Sequence, residues 1–328
     1  MRSCRGALPA AAALVLFAGV FALNAGPARG EPGLTGAPIL TRPLGARSSG
    51  MGRAFTAVPG DVESVMYNPA GPGFAARKEI YLAYMNGFAG GSYGLAAAPL
   101  RRGKLVVTPA FLYYTSGEMA LNLSPANQSF GSRTKVIAEL DKVLMLSAAY
   151  ALQENLSVGA TLKFTSIELA EAASASVKHY DLGALYRVTD GFSVGAASLN
   201  NGEAVKFEEQ GAPAPATLRA GAAYKFEVNP PNLLDRSSDL SYSDIVLTAD
   251  WSRTAREKGY YQAGLEMNMQ MQGGVLMSLR AGYLPGRPQE NFTVGLGVRK
   301  GQWNFNFGYE ASKDLDARMP VSVAWEFK

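Results

Sequence analysis

Apolar and polar residues alternate along most of this chain. In Leu156–Thr165 one face carries Leu156, Val158, Ala160, Leu162 and Phe164, and the other carries Ser157, Gly159, Thr161, Lys163 and Thr165. The pattern recurs over Ile245–Ser252, where Ile245, Leu247, Ala249 and Trp251 oppose Thr248, Asp250 and Ser252. Tyr261, Ala263, Leu265, Met267 and Met269 alternate with Gln262, Glu266, Asn268 and Gln270. Near the end, Trp303, Phe305, Phe307 and Tyr309 alternate with Asn304, Asn306 and Glu310, and Val321, Val323, Trp325 and Phe327 with Ser322 and Glu326. A period of two is the signature of strands with two unlike faces. It predicts strands near 78–87, 91–100, 104–114, 141–152, 156–169, 176–187, 191–200, 215–226, 243–253, 258–270, 274–284, 291–300, 302–310 and 319–327.

Two architectures carry such alternation. A soluble sandwich hides its apolar faces between two sheets, whereas a membrane barrel turns them to lipid and keeps polar residues in the lumen. The predicted strands are long enough for a tilted membrane crossing. Aromatic residues gather near their ends (Tyr113, Tyr114, Tyr150, Tyr186, Tyr283 and Trp251), as interfacial girdles do. Connections also alternate in length. One set is tight: Arg101-Arg102-Gly103, Gln153-Glu154-Asn155, Val188-Thr189-Asp190, Met271-Gln272-Gly273 and Gly301, with 227–242 as the exception. The other set, 115–140, 170–175, 201–214 and 311–318, is mostly longer. Short periplasmic turns, longer outer loops and an even strand number define bacterial outer-membrane barrels. The expectation is an all-β, transmembrane, antiparallel up-and-down β-barrel of about 14 strands over residues 78–328, ending on a strand with Trp325 and Phe327 toward lipid.

The front of the chain breaks this pattern. In SGMGRAFTAVPGDVESVMYNPAG, Ser49–Gly71, Pro59-Gly60 makes a turn and Asp61 is a good N-cap for a short helix over Val62–Met66. Asn68-Pro69 ends that helix, because the residue before a proline is driven out of the helical region. Met51, Phe55, Val58, Val62, Val65, Met66 and Tyr67 need cover. A compact segment over 31–77 therefore fits a hatch inside the lumen or a cap beneath the barrel.

Further upstream, Arg2 and Arg5 precede an apolar run from Ala7 to Ala22, and Ala28-Arg29-Gly30 supplies small residues for cleavage. Residues 1–30 are thus expected to be a secretory signal peptide, with the mature chain starting at Glu31. Cys4, the single cysteine, would leave with it, and with it any disulfide or thiolate chemistry. Losing Arg2, Arg5 and Arg29 leaves 28 basic residues against 27 acidic ones, so no excess of charge calls for nucleic acid.

The stretch GARSSGMGRAFTAVPGDVESVMYNPAG resembles the N-terminal signature of the FadL-like outer-membrane superfamily, above all its PorV/PorQ-type branch. There a glycine-rich segment leads to an Asp-containing helix and an Asn-Pro-Ala-Gly turn. Segments 180–202, 216–226 and 279–310 look similar too. The resemblance implies a fourteen-stranded barrel with an N-terminal hatch, in which Gly50, Gly52, Asp61, Asn68, Pro69 and Ala70 are hatch residues. It implies one of two functions. FadL-type members pass fatty acids or aromatic hydrocarbons through a hydrophobic tunnel and lateral opening; PorV-type members hold exported protein cargo in type IX secretion. Outer-membrane lipid is the expected surrounding, with a hydrophobic small molecule or an exported protein as partner.

Enzyme chemistry finds little support. No strand precedes SGMGRAF to make it a nucleotide-binding loop. His179, the single histidine, shares a strand face with Asp181, but one chain of residues does not converge a nucleophile, base and orienting group. Its simpler role is an imidazole bonded to a carboxylate. Asp314 and Asp316 lack the remaining ligands of a calcium loop. No catalytic residue, metal or cofactor is expected. The lumen face carries Asp181, Arg187, Asp250, Glu266, Arg280, Arg299, Glu310 and Glu326. Both signs occur, which predicts pairing around the hatch rather than an ion-selective ring.

Overall fold

The computed structural model describes residues 35–327 apart from 76–77, 88–89, 123–132, 208–210, 229–239, 286, 288–290 and 314–315. The expected signal peptide, Lys328 and most of the 227–242 connection therefore lie outside the described residues. Fourteen strands follow: β1 (Lys78–Asn86), β2 (Ser92–Ala97), β3 (Leu105–Thr115), β4 (Glu139–Ala151), β5 (Leu156–Leu169), β6 (Ala173–Arg187) and β7 (Phe192–Gly202). They continue with β8 (Thr217–Glu227), β9 (Leu240–Thr254), β10 (Tyr260–Met271), β11 (Val275–Tyr283), β12 (Phe292–Lys300), β13 (Trp303–Glu310) and β14 (Val321–Phe327). Each pairs antiparallel with its chain neighbours.

The ring closes between the first strand and the last. β1 and β14 pair from Lys78↔Phe327 to Tyr84↔Val321, which closes the sheet into a ring. β2 breaks at Ala98-Pro99 and resumes as Leu100–Arg102, so the β1–β2 ladder ends at Tyr81↔Ala97. Proline has no N–H to give the ladder there.

The two faces follow the sequence. Outward side chains are bare: Leu144, Leu162, Leu182, Leu247, Leu296 and Phe305 are exposed, while their neighbours Thr161, Lys163, Asp181, Thr248 and Asn306 are buried inside. An exposed apolar band around a closed ring inverts the soluble arrangement. No helix among the described residues is long and apolar enough to cross a membrane, which leaves crossing by strands untouched.

Two expectations change in detail. The connection expected over 170–175 is a tight turn at 170–172, because β5 and β6 run further and Ala170 and Glu171 take positive φ. Tyr114, expected in the outward girdle, points inward and stacks on Tyr93 at 4.5 Å. Strand register places Tyr113 outward, against Phe111, and one residue of slip exchanges the faces. Around 116–138 a small hairpin, Glu118–Asn122 with Arg133–Ile137, extends the wall beyond the ring.

Candidate functional site: the filled lumen

Residues 35–75 make contacts with inward-facing groups of many strands. Their path has four helical turns, Pro38–Thr41, Ala46–Gly50, Val62–Met66 and Gly71–Phe74. We call inner the end where β1 starts and β14 finishes, and outer the opposite end. Met51, Phe55, Val58, Val62, Val65, Met66 and Tyr67 are all buried, which answers their need for cover.

The local chemistry of the segment is largely that expected. The Asp61 carboxylate accepts from Glu63 N–H at 2.8 Å, capping a turn that is 3-10 rather than α. It also binds Arg47 Nη1 at 2.6 Å. Asn68 N–H closes onto Ser64 O at 2.7 Å, and its side-chain oxygen accepts from Ala70 N–H at 3.0 Å. The Asn68 amide then donates to Thr56 O at 2.9 Å and to Ala184 O of β6 at 3.0 Å. One buried side chain so ties the turn to the segment and to the wall. Ser157 on β5 donates to Ala70 O at 2.8 Å.

Charged wall residues hold the rest. Glu266 on β10 accepts both Arg47 Nε, at 2.8 Å, and Nη2, at 2.6 Å, and also Arg280 Nε at 2.6 Å. Glu310 on β13 pairs with Arg53. Asp250 on β9 accepts Phe55 N–H, Thr56 N–H and Thr56 Oγ1 at 2.9, 2.9 and 2.6 Å. Arg219 on β8 reaches Asp250 Oδ2, Thr56 Oγ1 and Arg53 O, each at 2.8–2.9 Å. Glu63 accepts Ser48 N–H within the segment and Tyr81 O–H from β1, both at 2.7 Å. Burial, with Asp61 alongside, pushes the Glu63 carboxyl above the usual carboxylate range. Burial likewise pushes the Tyr67 phenol up.

The remaining sequence-predicted charges also face inward, in other settings. Arg299 lies 3.8 Å from Glu326 beside a polar cavity of about 480 Å³ at the inner end, which Asp61 and Glu63 also line. Arg187 stacks over the Phe74 ring at 4.4 Å. Asp181 belongs to Lys163, at 2.8 Å, and to Asn200 N–H, at 2.6 Å. His179 therefore does not bond a carboxylate as expected: its Nε2 meets Glu203 O at 3.1 Å. No group of three metal-ligating side chains occurs among the described residues, and Asp314 lies outside them.

Sequence reading missed two features. Arg47, Arg53 and Arg219 were indistinguishable from surface charges until the fold set them against acids. The second is a set of inward glycines in facing pairs: Gly159↔Gly183, Gly195↔Gly221, Gly264↔Gly282 and Gly295↔Gly308. A Cβ at Gly159 or Gly183 would overlap Pro69 or Asn68; at Gly195, Thr56 O; at Gly264, Met51 O; at Gly282, Gly52 N; at Gly295 it would stand 3.0 Å from Gly50 Cα. The pairs trace the backbone of residues 46–70 along the wall. Gly52 itself takes φ +62 and donates its N–H to Thr293 Oγ1 at 3.1 Å.

The opposite wall differs in kind. In the outer half of β1–β6 many inward side chains are apolar, among them Met85, Tyr93, Leu95, Leu112, Val143, Met145, Ile167 and Val177, with Asp141, Lys163, Thr165 and His179 buried between them. They pack with Ala37, Ile39, Leu40 and Leu44 of the segment. Asn200 of β7 holds Leu40 O at 3.1 Å, and Gly36 N–H bonds Pro213 O at 2.9 Å, so the start of the segment is tied to β7 and to Pro213.

No family model matches this chain, and no curated protein matches it. Solved structures do match. The toluene transporter TbuX of Ralstonia pickettii superposes with a TM-score of 0.58 at 14% identity, covering 87% of this chain and 98% of that one. A deltaS2S3 mutant of the TodX monoaromatic hydrocarbon channel gives 0.55 at 12%, covering 86% and 98%. The CymD monoaromatic hydrocarbon channel gives 0.51 at 12%, covering 87% and 97%. At these identities the likeness is one of fold.

Proposed function

We propose that this protein is an outer-membrane barrel for passive inward passage of hydrophobic small molecules, with residues 31–77 as a hatch fixed in the lumen. The observation that carries the reading is the apolar cluster on the inner wall of β1–β4, from Met85, Tyr93 and Leu95 to Leu112, Val143 and Met145. Barrel lumens are ordinarily polar, and the β8–β13 side of this one is. An apolar strip on the opposite side, from Tyr93 and Leu95 to Val143 and Met145, gives a hydrophobic solute a surface on which to leave water. Toluene and monoaromatic hydrocarbons, the named substrates of fold neighbours, belong to that chemical class. Gly50, Gly52, Asp61, Asn68, Pro69 and Ala70 are then hatch residues, set by the contacts above. The lipid around the apolar outer band would be that of a Gram-negative-type outer membrane.

The test is uptake of a hydrophobic fluorescent probe into cells or vesicles carrying the protein. Leu112→Asp and Val143→Asp should cut uptake at least fivefold while the folded barrel keeps its faster gel migration without boiling. Uptake equal to that of vesicles lacking the protein would remove the transport reading. It would favour the second one, a PorV/PorQ-type barrel that holds exported protein cargo. Short outer connections at 170–172 and 255–259 support that alternative, since they add little above the strands they join. Co-purification of secreted protein with the barrel would then be expected.

A further inference from the structure

We propose that the lipid-facing wall carries a binding site for a phosphorylated lipid headgroup at the outer ends of β7–β9, with Arg253 and Arg256 as its cationic groups. Register builds the site. On the outward face Ser198, Leu218 and Arg253 lie in one row across β7, β8 and β9. One row nearer the middle come Ala196, Ala220 and Trp251, and below them Val194, Ala222 and Ala249. The side chains beneath the arginine row are thus small on β7 and β8: Ala196 and Ala220 are buried, and Val194, Ala222 and Ala249 below them leave a shallow apolar trough with the Trp251 indole along one side.

A tryptophan at this height marks the membrane–water boundary. Arg253 stands two residues above it, roughly 7 Å along the strand, where the phosphates of a lipid leaflet lie. A cleft of about 210 Å³ opens there, lined by Arg253, Arg256, Ser198, Asn201 and Leu218. Among the described residues no acidic side chain lines it. Two backbone irregularities shape it. β7 bulges between Ser198 and Asn201, with Asn200 at φ +56. The bulge sends Asn200 into the lumen and sets Asn201 beside Ser198, with Asn201 Nδ2 donating to Ser198 Oγ at 3.0 Å. A polar notch results on a face that is otherwise apolar. Arg256, in the β9–β10 turn, takes φ +63, a conformation unusual for a residue with a side chain, and reaches the same cleft.

A planar guanidinium matches phosphate oxygens in a forked geometry. Two of them over a hydroxyl, an amide and an apolar trough fit a headgroup with acyl chains below it. A soluble anion would have no use for the trough, so the occupant is a lipid.

This inference rests on the membrane placement proposed above, and the experiment separates the two. The protein is purified in non-ionic detergent, and lipid retained after extensive washing is measured by native mass spectrometry. Probes added back are a diphosphorylated glycolipid of lipid A type, the same glycolipid dephosphorylated, and inorganic phosphate. Wild type should retain the phosphorylated glycolipid at least tenfold more than Arg253→Gln/Arg256→Gln does. The Lys142→Gln/Lys178→Gln protein, altered on β4 and β6, should match wild type. Equal retention by the arginine variant, or equal retention of the dephosphorylated lipid, would overturn the site. Thermal stabilisation by inorganic phosphate as large as that by the lipid would overturn its assignment to lipid. Should the double variant fail to fold, Arg256→Gln in the exposed turn carries the same comparison with a threefold loss expected. Recovery of wild type as a soluble protein would instead remove the membrane placement itself.

Discussion

A single residue decides most where it is buried and multiply bonded. Asn68 and Asp61 sit seven residues apart in the same segment and differ in this respect. Asn68 is fully buried and makes three side-chain bonds, to Ala70 N–H, Thr56 O and Ala184 O. Asp61 is partly open to the inner cavity, and water can replace some of what it gives. Loss of an N-cap costs about 1 kcal/mol, whereas leaving two buried carbonyls and one N–H without partners costs more, about 2 kcal/mol or above. Asn68→Ala should therefore loosen residues 46–75 more than Asp61→Ala does, read as faster amide exchange of the segment within an intact barrel. An opposite order would mean that the Asp61–Arg47 pair, not the Asn68 turn, holds the segment. Facing can be tested at the same scale. Leu247→Arg puts a charge toward lipid and should destabilise the barrel by roughly 2–4 kcal/mol. Thr248→Arg meets Met51 and Gly264 inside, so it should displace the segment and leave membrane insertion intact.

Among elements, the strands and their pairing with chain neighbours were legible, and the side-chain partners inside the ring were not. Period-two alternation marks a strand whenever its two faces meet different media, and here they do along almost every strand. Tyr114 failed that reading because an apolar lumen wall makes both faces of β3 look alike. The clamp on the segment was illegible for another reason. Arg47 and Glu266 are 219 residues apart, and only barrel register brings them together. The facing glycines are the clearest example. Gly159 and Gly183 are unremarkable in sequence; opposite each other beneath Asn68-Pro69 they are a recess. That recess yields a prediction on the element scale. Gly282→Val, on β11 beneath Gly52, leaves the strand's propensity unharmed but fills the space of the Gly52 backbone. The barrel should still form, with the segment undocked, open to added protease and passing ions in planar bilayers. A barrel as closed as wild type would show that the segment tolerates a side chain where its backbone now lies.

Over the whole molecule the lumen is two-sided, and this bears on how anything passes through. The segment is bonded to β6–β13 through Asn68, Thr56, Arg53 and Arg47, while the outer half of β1–β4 offers it mainly apolar contact, with one bond from Arg42 to Tyr93 Oη at 3.3 Å. Undocking it as a body would strip partners from Asp250, Glu266 and Glu310 together, each buried, and breaking one such buried pair already costs about 3–5 kcal/mol. Apolar contact, by contrast, can be exchanged for an apolar solute at little cost. Passage along the β1–β4 side with residues 46–70 in place is therefore the favoured route. A cross-link decides it. A Cβ at Gly308 would stand 3.5 Å from the Ser49 Cβ, within the span of a disulfide, with Pro320 Cγ at 2.9 Å needing a small shift. Ser49→Cys/Gly308→Cys, with Cys4 expected to leave with the signal peptide, should oxidise to a bond that pins Ala46–Gly50 to β13. Uptake of a hydrophobic probe by the oxidised protein should then equal uptake by the reduced one. A block relieved by reductant would mean that the segment leaves its recess in each passage.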